Sequence, residues 1–465
     1  RLRPGVRPLV SPRRYAVVGT GSRAAMYIEA LGGPYAGVGS IVAFCDTNAT
    51  RMAYYAKVLE AVGAPAPATY VADRFDLLLH EQQPDAVIVT SPDHTHAGYV
   101  VAALVAGCDV LVEKPLTTTL DSARAIADAA RAATGSLVMT FNYRYSPRNS
   151  VLRQVIADGA IGSVTSLHFE WVLDTVHGAD YFRRWHRDKD RSGGLLVHKS
   201  SHHFDLVNWW IDDVPATVYA AGGLRFYGSD NAAARGLGPR PARSTGDPSA
   251  ADDPFALDLL RDDQLRSLYY DAEADDGYLR DQDVFGPGVT IEDNAAVLVT
   301  YAAGAVLSYS LNAHSPWEGY RVSVNGTQGR VELEVVERGF VLPAGAAGVV
   351  NRPAIDPSVT PDGPLPGSIG NPRPAGQRLL VQRHWEAARE VAIPAGDGAH
   401  GGGDSQLLDD VLRPGAGPDP LRRRAGYVDG LRAVAVGLAA NASMESGTAV
   451  RIAGLSLPMG APASG

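Results

Sequence analysis

From residue 15 onward, short uninterrupted apolar runs alternate with segments of helical period. The runs are Tyr15–Gly19 (YAVVG), Ile41–Cys45 (IVAFC), Asp85–Val89 (DAVIV), Asp109–Val112 (DVLV) and Leu137–Phe141 (LVMTF). Between them lie Ala24–Leu31, Arg51–Val62, Phe75–His80, Thr95–Ala106 and Asp121–Ala133, which read as helices. An apolar run without polar alternation is a strand buried on both faces, and such strands alternating with helices predict a doubly wound parallel sheet. After Arg144 the period becomes two. Ser163–Leu173 sets Leu167, Phe169, Trp171 and Leu173 on one face, and Ala295–Leu311, Val322–Asn325 and Val331–Val336 follow with short turns. That pattern predicts a second, mainly antiparallel sheet. Val428–Ala440 closes the series as a helix that packs back onto a domain.

Two stretches break the rhythm. Residues 228–290 are polar and rich in Asp, Arg and Gly, and residues 343–377 are rich in Pro, Gly and Ala. Long segments of this kind inside a domain are lids, interfaces or disorder. The predicted organisation is an arm at 1–14, a nucleotide domain at 15–144, a second domain at 145–452 carrying both inserts, and a tail at 453–465.

Composition narrows the function classes. The 465 residues carry a net charge of −9, which leaves no global basic surface for nucleic acid. No apolar run reaches the ~18–20 residues of a membrane span. Two cysteines, Cys45 and Cys108, make no disulfide framework and point to a reducing, cytoplasmic setting. The basic start of the chain lacks an apolar h-region, so an export signal would have to lie ahead of Arg1.

The first strand runs into Gly19-Thr20-Gly21-Ser22-Arg23-Ala24. Gly19 permits the tight turn, Gly21 lets backbone approach a pyrophosphate, and Ala24 allows close helix–strand packing; the helix start supplies N–H groups to the phosphates. A glycine turn without a ligand is the plain alternative. Asp46 ends the second strand and suits ribose hydroxyls while repelling a 2′-phosphate, which favours NAD over NADP. Arg51 opposes that preference if it swings toward a phosphate, and Asp46 has a simpler alternative as a helix cap.

Three further motifs fall at strand ends: Ser91-Pro92-Asp93-His94-Thr95-His96, Glu113-Lys114-Pro115 and Asn142-Tyr143-Arg144. With the glycine turn before them and His198-Lys199-Ser200-Ser201-His202-His203-Phe204-Asp205 after them, the set resembles the Gfo/Idh/MocA oxidoreductases. The resemblance implies a Rossmann domain binding NAD(P), a second α/β domain on an open sheet, a substrate between them and a homodimer or homotetramer. The substrate it implies is a small carbohydrate or cyclitol bearing the reacting hydroxyl. Ser91, Pro92, His96, Glu113, Lys114 and Asn142 join the glycine turn and Asp46 as expected cofactor contacts. Tyr143, Arg144, Trp185, Lys199 and His203 are expected at the substrate.

The chemistry demands a group that takes the hydroxyl proton as hydride leaves. Lys114 is assigned that neighbourhood by the resemblance, where this lysine reaches the reacting oxygen. Aligned on Asp205, the catalytic histidine of the relatives corresponds to His202, and His198 stands where they carry an aspartate. An imidazole cannot supply a carboxylate's charge, which puts the usual relay in doubt. His202 is therefore expected to transfer the proton, with His198 and Lys199 placing substrate or tuning its pKa. Five of the twelve histidines lie between His177 and His203. A metal site would need three or four ligands with an open position; redox chemistry with Lys114 and a nicotinamide needs none, and no metal is expected. His400 in the His-Gly-Gly-Gly-Asp404 segment and Trp317 are read as loop residues, and Trp209 and Trp210 as packing. Two competing functions remain: a glycosidase that keeps NAD bound and oxidises its substrate transiently, and a redox-inert NAD-binding sensor.

Overall fold

The computed structural model describes residues 12–342, 370–396, 399–413, 415 and 417–460. Six strands come first: β1 (Arg13–Val18), β2 (Gly39–Asp46), β3 (Ala68–Val71), β4 (Ala86–Val89), β5 (Asp109–Val112) and β6 (Leu137–Met139). All six run parallel, and the sheet order is β6-β5-β4-β1-β2-β3. The order reverses between β1 and β4, which opens a crevice at their C-terminal ends. β1 and β4 carry fully buried residues because helices cover both faces. β3 was not expected; it is a half-exposed edge strand, so its sequence carries no apolar run.

The second sheet holds β7 (Val164–Asp174), β8 (Pro215–Gly223), β9 (Asn294–Tyr301), β10 (Val306–Ser315), β11 (Glu318–Gly326), β12 (Gly329–Arg338), β13 (Gly376–Arg383) and β14 (Arg389–Val391). Its order is β14-β13-β12-β11-β7-β10-β9-β8, with a short ninth strand at Val450–Arg451 beside β8. Within this second sheet only the β7–β10 pair is parallel among the described strands. β8 escapes sequence reading because its run, PATVYAAGG, is mostly small residues. The helices Ser200–Ile211 and Tyr427–Ser446 cover one face of this sheet. A two-residue strand at Ala425–Gly426 then pairs antiparallel with β6, so the chain returns to the first sheet near its end.

The inserts separate in behaviour. Residues 343–369 of the Pro/Gly/Ala-rich segment lie outside the described residues, and its end enters β13 at Gly376. The 228–290 segment is not a structureless loop. It forms short helices at Ser229–Ala234 and Glu273–Asp276 and a single π turn at Arg266–Tyr270. Ion pairs knit it: Arg240 with Asp253 and Asp283, Arg243 with Glu273 and Asp281, and Arg280 with Asp180 at 2.6 Å. Its Leu257, Leu259, Leu265, Leu268 and Tyr269 are buried in one apolar cluster with Tyr27, Ile28, Met52 and Tyr55 of the first domain.

Candidate active site

The glycine turn is forced by its neighbours. Gly19 has φ +85, and a Cβ there would come within 2.5 Å of the Ser91 backbone. Thr90 Oγ1 donates to the Gly19 carbonyl at 2.6 Å, tying the ends of β1 and β4 together. The Thr20 N–H and hydroxyl both donate to Asp46 Oδ2, at 2.5 and 2.8 Å. Asp46 Oδ1 accepts from the Asn48 N–H at 2.9 Å. Asn48, not Asp46, caps the next helix, its side chain accepting from the Arg51 N–H. Ala24 is fully buried, as close helix–strand packing requires. Ser22 donates its N–H to the Tyr269 hydroxyl at 3.1 Å, so the insert reaches the turn itself. Nothing in the sequence pattern marked Tyr269. Arg51 is turned from the crevice by the same insert: Nε donates to the Leu268 carbonyl at 2.9 Å, and Nη1 pairs with Asp276 at 2.7 Å.

Glu113 is fixed by Arg23 Nε and the Tyr27 hydroxyl, each donating at 2.8 Å. The Lys114–Pro115 peptide is cis. The two ring nitrogens of His96 face the carbonyl oxygens of Pro115 (2.8 Å) and Ser91 (2.9 Å), clasping the ends of β4 and β5. Ser91 Oγ lies 2.7 Å from Thr95 Oγ1, and Pro92 precedes the short helical turn Asp93–Thr95. Lys114 Nζ lies 3.1 Å from His198 Nε2, and His198 Nδ1 lies 2.5 Å from Asp93 Oδ2. Burial pushes the Lys114 amine down to about 8, with Lys199 and Arg23 adding to the fall and Asp93 and Glu113 opposing it. Burial also raises the Asp93 carboxyl and lowers the His198 imidazole, the latter helped by Lys114 and His186. Desolvation thus favours the neutral form of each of the three groups.

The histidine touching Lys114 is therefore His198. His202 stacks on Tyr143, with ring centroids 4.3 Å apart, and meets the edge of Phe141. Lys199 Nζ donates to the Tyr143 hydroxyl at 3.2 Å and sits over the Tyr143 and Trp171 rings. Half-buried Trp185 stacks on His186, whose ring lies 4.2 Å from that of His198. Two residues expected at the substrate have protein partners in this structure. His203 has no exposure; it is stacked on Trp171 and bonded to the Tyr309 hydroxyl at 2.7 Å inside the second core. Arg144 holds Asp205 bidentately at 2.8 and 2.6 Å and Asp429 at 3.0 Å, which commits its forked donors to packing. Trp209 and Trp210 pack as expected, their ring N–H groups donating to the Leu421 and Asn149 carbonyls.

Asn142 Nδ2 donates to Asp404 Oδ1 at 2.6 Å. Asp404 belongs to the helix Ala399–Leu412, which replaces the loop expected around the three glycines. The reason is proximity: a Cβ at Gly403 would come within 2.4 Å of the Asn142 carbonyl oxygen. The side chain of His400 lies outside the described residues. Trp317 is buried in the turn between β10 and β11. Among the described residues no three His, Cys, Asp or Glu side chains are placed to hold a metal ion. His177, for instance, is bound to Glu318 at 2.7 Å. Among the described residues no helix is long and apolar enough to cross a membrane.

The residues present fit a dinucleotide. Gly21 leaves its backbone bare, since a Cβ there would meet only the Tyr269 hydroxyl, at 3.8 Å. Asn142 Oδ1 is buried with no hydrogen-bond partner among the described residues. Asp46 and Lys114 stand at strand ends on either side of β1 and β4.

Known proteins agree with this layout. Residues 13–141 match the family model described as the NAD-binding Rossmann fold of the Gfo/Idh/MocA oxidoreductases, and residues 153–452 match its C-terminal α/β domain. The oxidoreductase YteT of Bacillus subtilis is 34% identical over 440 residues, which is 90% of this chain and 93% of that one. The inositol 2-dehydrogenase of Rubrobacter xylanophilus is 30% identical over 212 residues, 44% of this chain and 54% of that one. Among solved structures, an oxidoreductase domain protein from Kribbella flavida aligns with a TM-score of 0.64 at 20% identity, covering 95% of this chain and all of the other. A levoglucosan dehydrogenase in complex with NADH and levoglucosan aligns with a TM-score of 0.61 at 16% identity, again over 95% of this chain and all of the other.

Proposed function

We propose that this chain, which belongs to the Gfo/Idh/MocA oxidoreductase family, is an NAD-dependent dehydrogenase acting on a secondary hydroxyl of a sugar, cyclitol or glycoside. The observation that carries the reading is Lys114, a half-buried amine at the crevice end of β5, lowered to about 8 and hydrogen-bonded to an imidazole. Oxidising a secondary alcohol removes a hydride from carbon and a proton from oxygen. The bound dinucleotide supplies the hydride acceptor. Lys114 takes the hydroxyl proton at Nζ, and its lowered affinity leaves a useful fraction neutral near pH 7–8. Glu113, held by Arg23 and Tyr27, keeps the strand end that carries Lys114 in position. Tyr143, Lys199, His202 and Trp185 offer aromatic faces beside N–H donors, a combination suited to a polyhydroxylated ring. The inositol and levoglucosan dehydrogenases among the similar proteins support the same substrate class.

Preference for NAD over NADP is supported by Asp46 at the end of β2 and by Arg51 being held by Asp276. Cys45 and Cys108 are both free and buried, in keeping with a reducing compartment. The test is to mix the protein with NAD or NADP and a panel of sugars, cyclitols and glycosides, following reduced nicotinamide and released aglycone together. Reduced cofactor with one compound supports the dehydrogenase; no reduction across the panel with either cofactor counts against it.

One observation favours a second reading. Tyr269 and its neighbours stand against the glycine turn and would hold a dinucleotide in place through many turnovers. A glycosidase that oxidises its substrate transiently needs that retention. It would release aglycone without net reduced cofactor.

A further inference from the structure

Asp93 is only 3% exposed, and nothing in the proposed oxidation so far employs it. A carboxylate that merely capped the short turn Asp93–Thr95 would sit in water, where it is cheap to keep charged. Buried, it needs a partner. Its partner is His198, at 2.5 Å from Nδ1, and the other ring nitrogen of His198 faces Lys114. Three groups from three places in the sequence thus form one line: the loop after β4, the end of β5 and the helix Leu195–His198.

The line has a direction. A charged Lys114 has only N–H groups to offer, so in that state it donates and His198 Nε2 accepts. The imidazole proton must then sit on Nδ1, toward Asp93. We propose that Asp93 is the positioning carboxylate of a buried proton relay, Lys114–His198–Asp93, in which His198 is the onward acceptor of the substrate's proton. The bookkeeping of atoms is closed. The hydroxyl O–H breaks and an N–H forms on Lys114 Nζ. Lys114 passes a proton to His198 Nε2, and Asp93 balances the imidazolium through the Nδ1–H. The proton leaves to solvent after product release, and no further reactant is needed.

The surroundings make the carboxylate necessary. Lys199, Arg23 and Glu113 act on Lys114 besides Asp93, and His186, Arg184 and Lys199 act on His198. Cations outnumber acids there, so an imidazolium without Asp93 would be strongly disfavoured. The inference rests on the dehydrogenase reading for the proton's origin, but its test does not.

The experiment is nitrogen-15 NMR of histidine-labelled full-length protein, with the His198 signal identified by its loss in His198→Gln. Carbon-13-labelled lysine in the same samples reports Lys114, since the chain has only four lysines, Lys57, Lys114, Lys189 and Lys199. Wild type should show His198 protonated at Nδ1 and bare at Nε2. Asp93→Ala should lose that tautomer and shift the Lys114 midpoint by more than one pH unit, a change above tenfold in proton affinity. Asp93→Glu should restore both, which simple structural support would not. A wild-type His198 carrying its proton on Nε2 overturns the relay whatever the variants do. So does an Asp93→Ala or Asp93→Asn protein with the wild-type tautomer and Lys114 midpoint. NAD binding measured on the same samples separates this from failure of the cofactor reading.

Discussion

Replacing Asp276 by Ala should let this protein bind NADP. Arg51 sits in the first turn of the helix that Asn48 caps, directly past Asp46, where a dinucleotide's 2′ position would lie. In the wild-type fold its Nη1 is 2.7 Å from Asp276, with side chains only 9% and 16% exposed. The cation is therefore satisfied and withheld. Without Asp276, Nη1 joins the already unpartnered Nη2 as a donor released for a phosphate, to which the side chain can swing. A hydrogen bond to a charged group is worth about 1.5–3 kcal/mol net. At 1.4 kcal/mol per tenfold, that predicts NADP binding about 10- to 140-fold tighter. NAD affinity should stay within about threefold, because Asp46 and the glycine turn are untouched. The full bare Coulomb energy does not appear, since Asp46 still repels the added charge. The assay is calorimetric titration of wild type and variant with NAD and NADP, which requires no substrate. The double variant Arg51→Leu/Asp276→Ala closes the cycle and should return NADP to its wild-type affinity. If Asp276→Ala binds NADP no better than wild type, or the double variant keeps the gain, the account of Arg51 is wrong.

Lys114→Ala should abolish turnover while calorimetry finds NAD binding within about threefold of wild type; sustained turnover would remove Lys114 from the chemistry. Oxidation should require neutral Lys114, so its rate should rise with pH, about tenfold per unit below 8 and level above, because the amine is depressed to about 8; a flat profile from pH 6 to 9 contradicts the assignment. Gly19→Ala meets the Ser91 backbone at 2.5 Å and keeps a positive φ, so it should lose NAD binding and lower the melting temperature together. Asp205→Leu strands a guanidinium that is 2% exposed, leaving it Asp429 and the Arg422 carbonyl. A broken buried pair costs about 3–5 kcal/mol, here nearer 3, and a melting point unchanged within a degree would return Arg144 to the substrate side.

How far the sequence reaches depends on what holds each part. β1, β2, β4 and β5 announce themselves because burial on both faces demands unbroken apolar runs such as AVVG and DVLV. The glycine turn and Glu113-Lys114-Pro115 are local motifs with local reasons. The relay is different. Asp93, Lys114 and His198 lie in separate stretches, and no spacing rule joins them; the replaced aspartate at residue 198 was visible, but the carboxylate behind it was not. The 228–290 segment stayed opaque because its order comes from ion pairs such as Arg280–Asp180, a hundred residues apart, which leave no periodicity. The Ala399–Leu412 helix was hidden by glycines whose low helix propensity is overridden by close packing on Asn142. His203 and Arg144 read as substrate contacts from their place in the motifs, and their partners, Tyr309 for the one and Asp205 and Asp429 for the other, lie too far along the chain for spacing to show.

The apolar cluster shared by the two domains has a consequence for how the chain is made. Tyr27, Ile28, Met52 and Tyr55 belong to the first domain, yet Leu259, Leu265, Leu268, Leu407 and Leu408 complete their packing, and the strand Ala425–Gly426 closes the sheet beside β6. A nascent chain that has emerged only as far as residue 141 carries the whole glycine turn but an open greasy flank. Each missing leucine withholds roughly 1.5–3 kcal/mol of burial. The nucleotide domain, though first in the sequence, thus completes its packing only after the chain has been synthesised past Gly426.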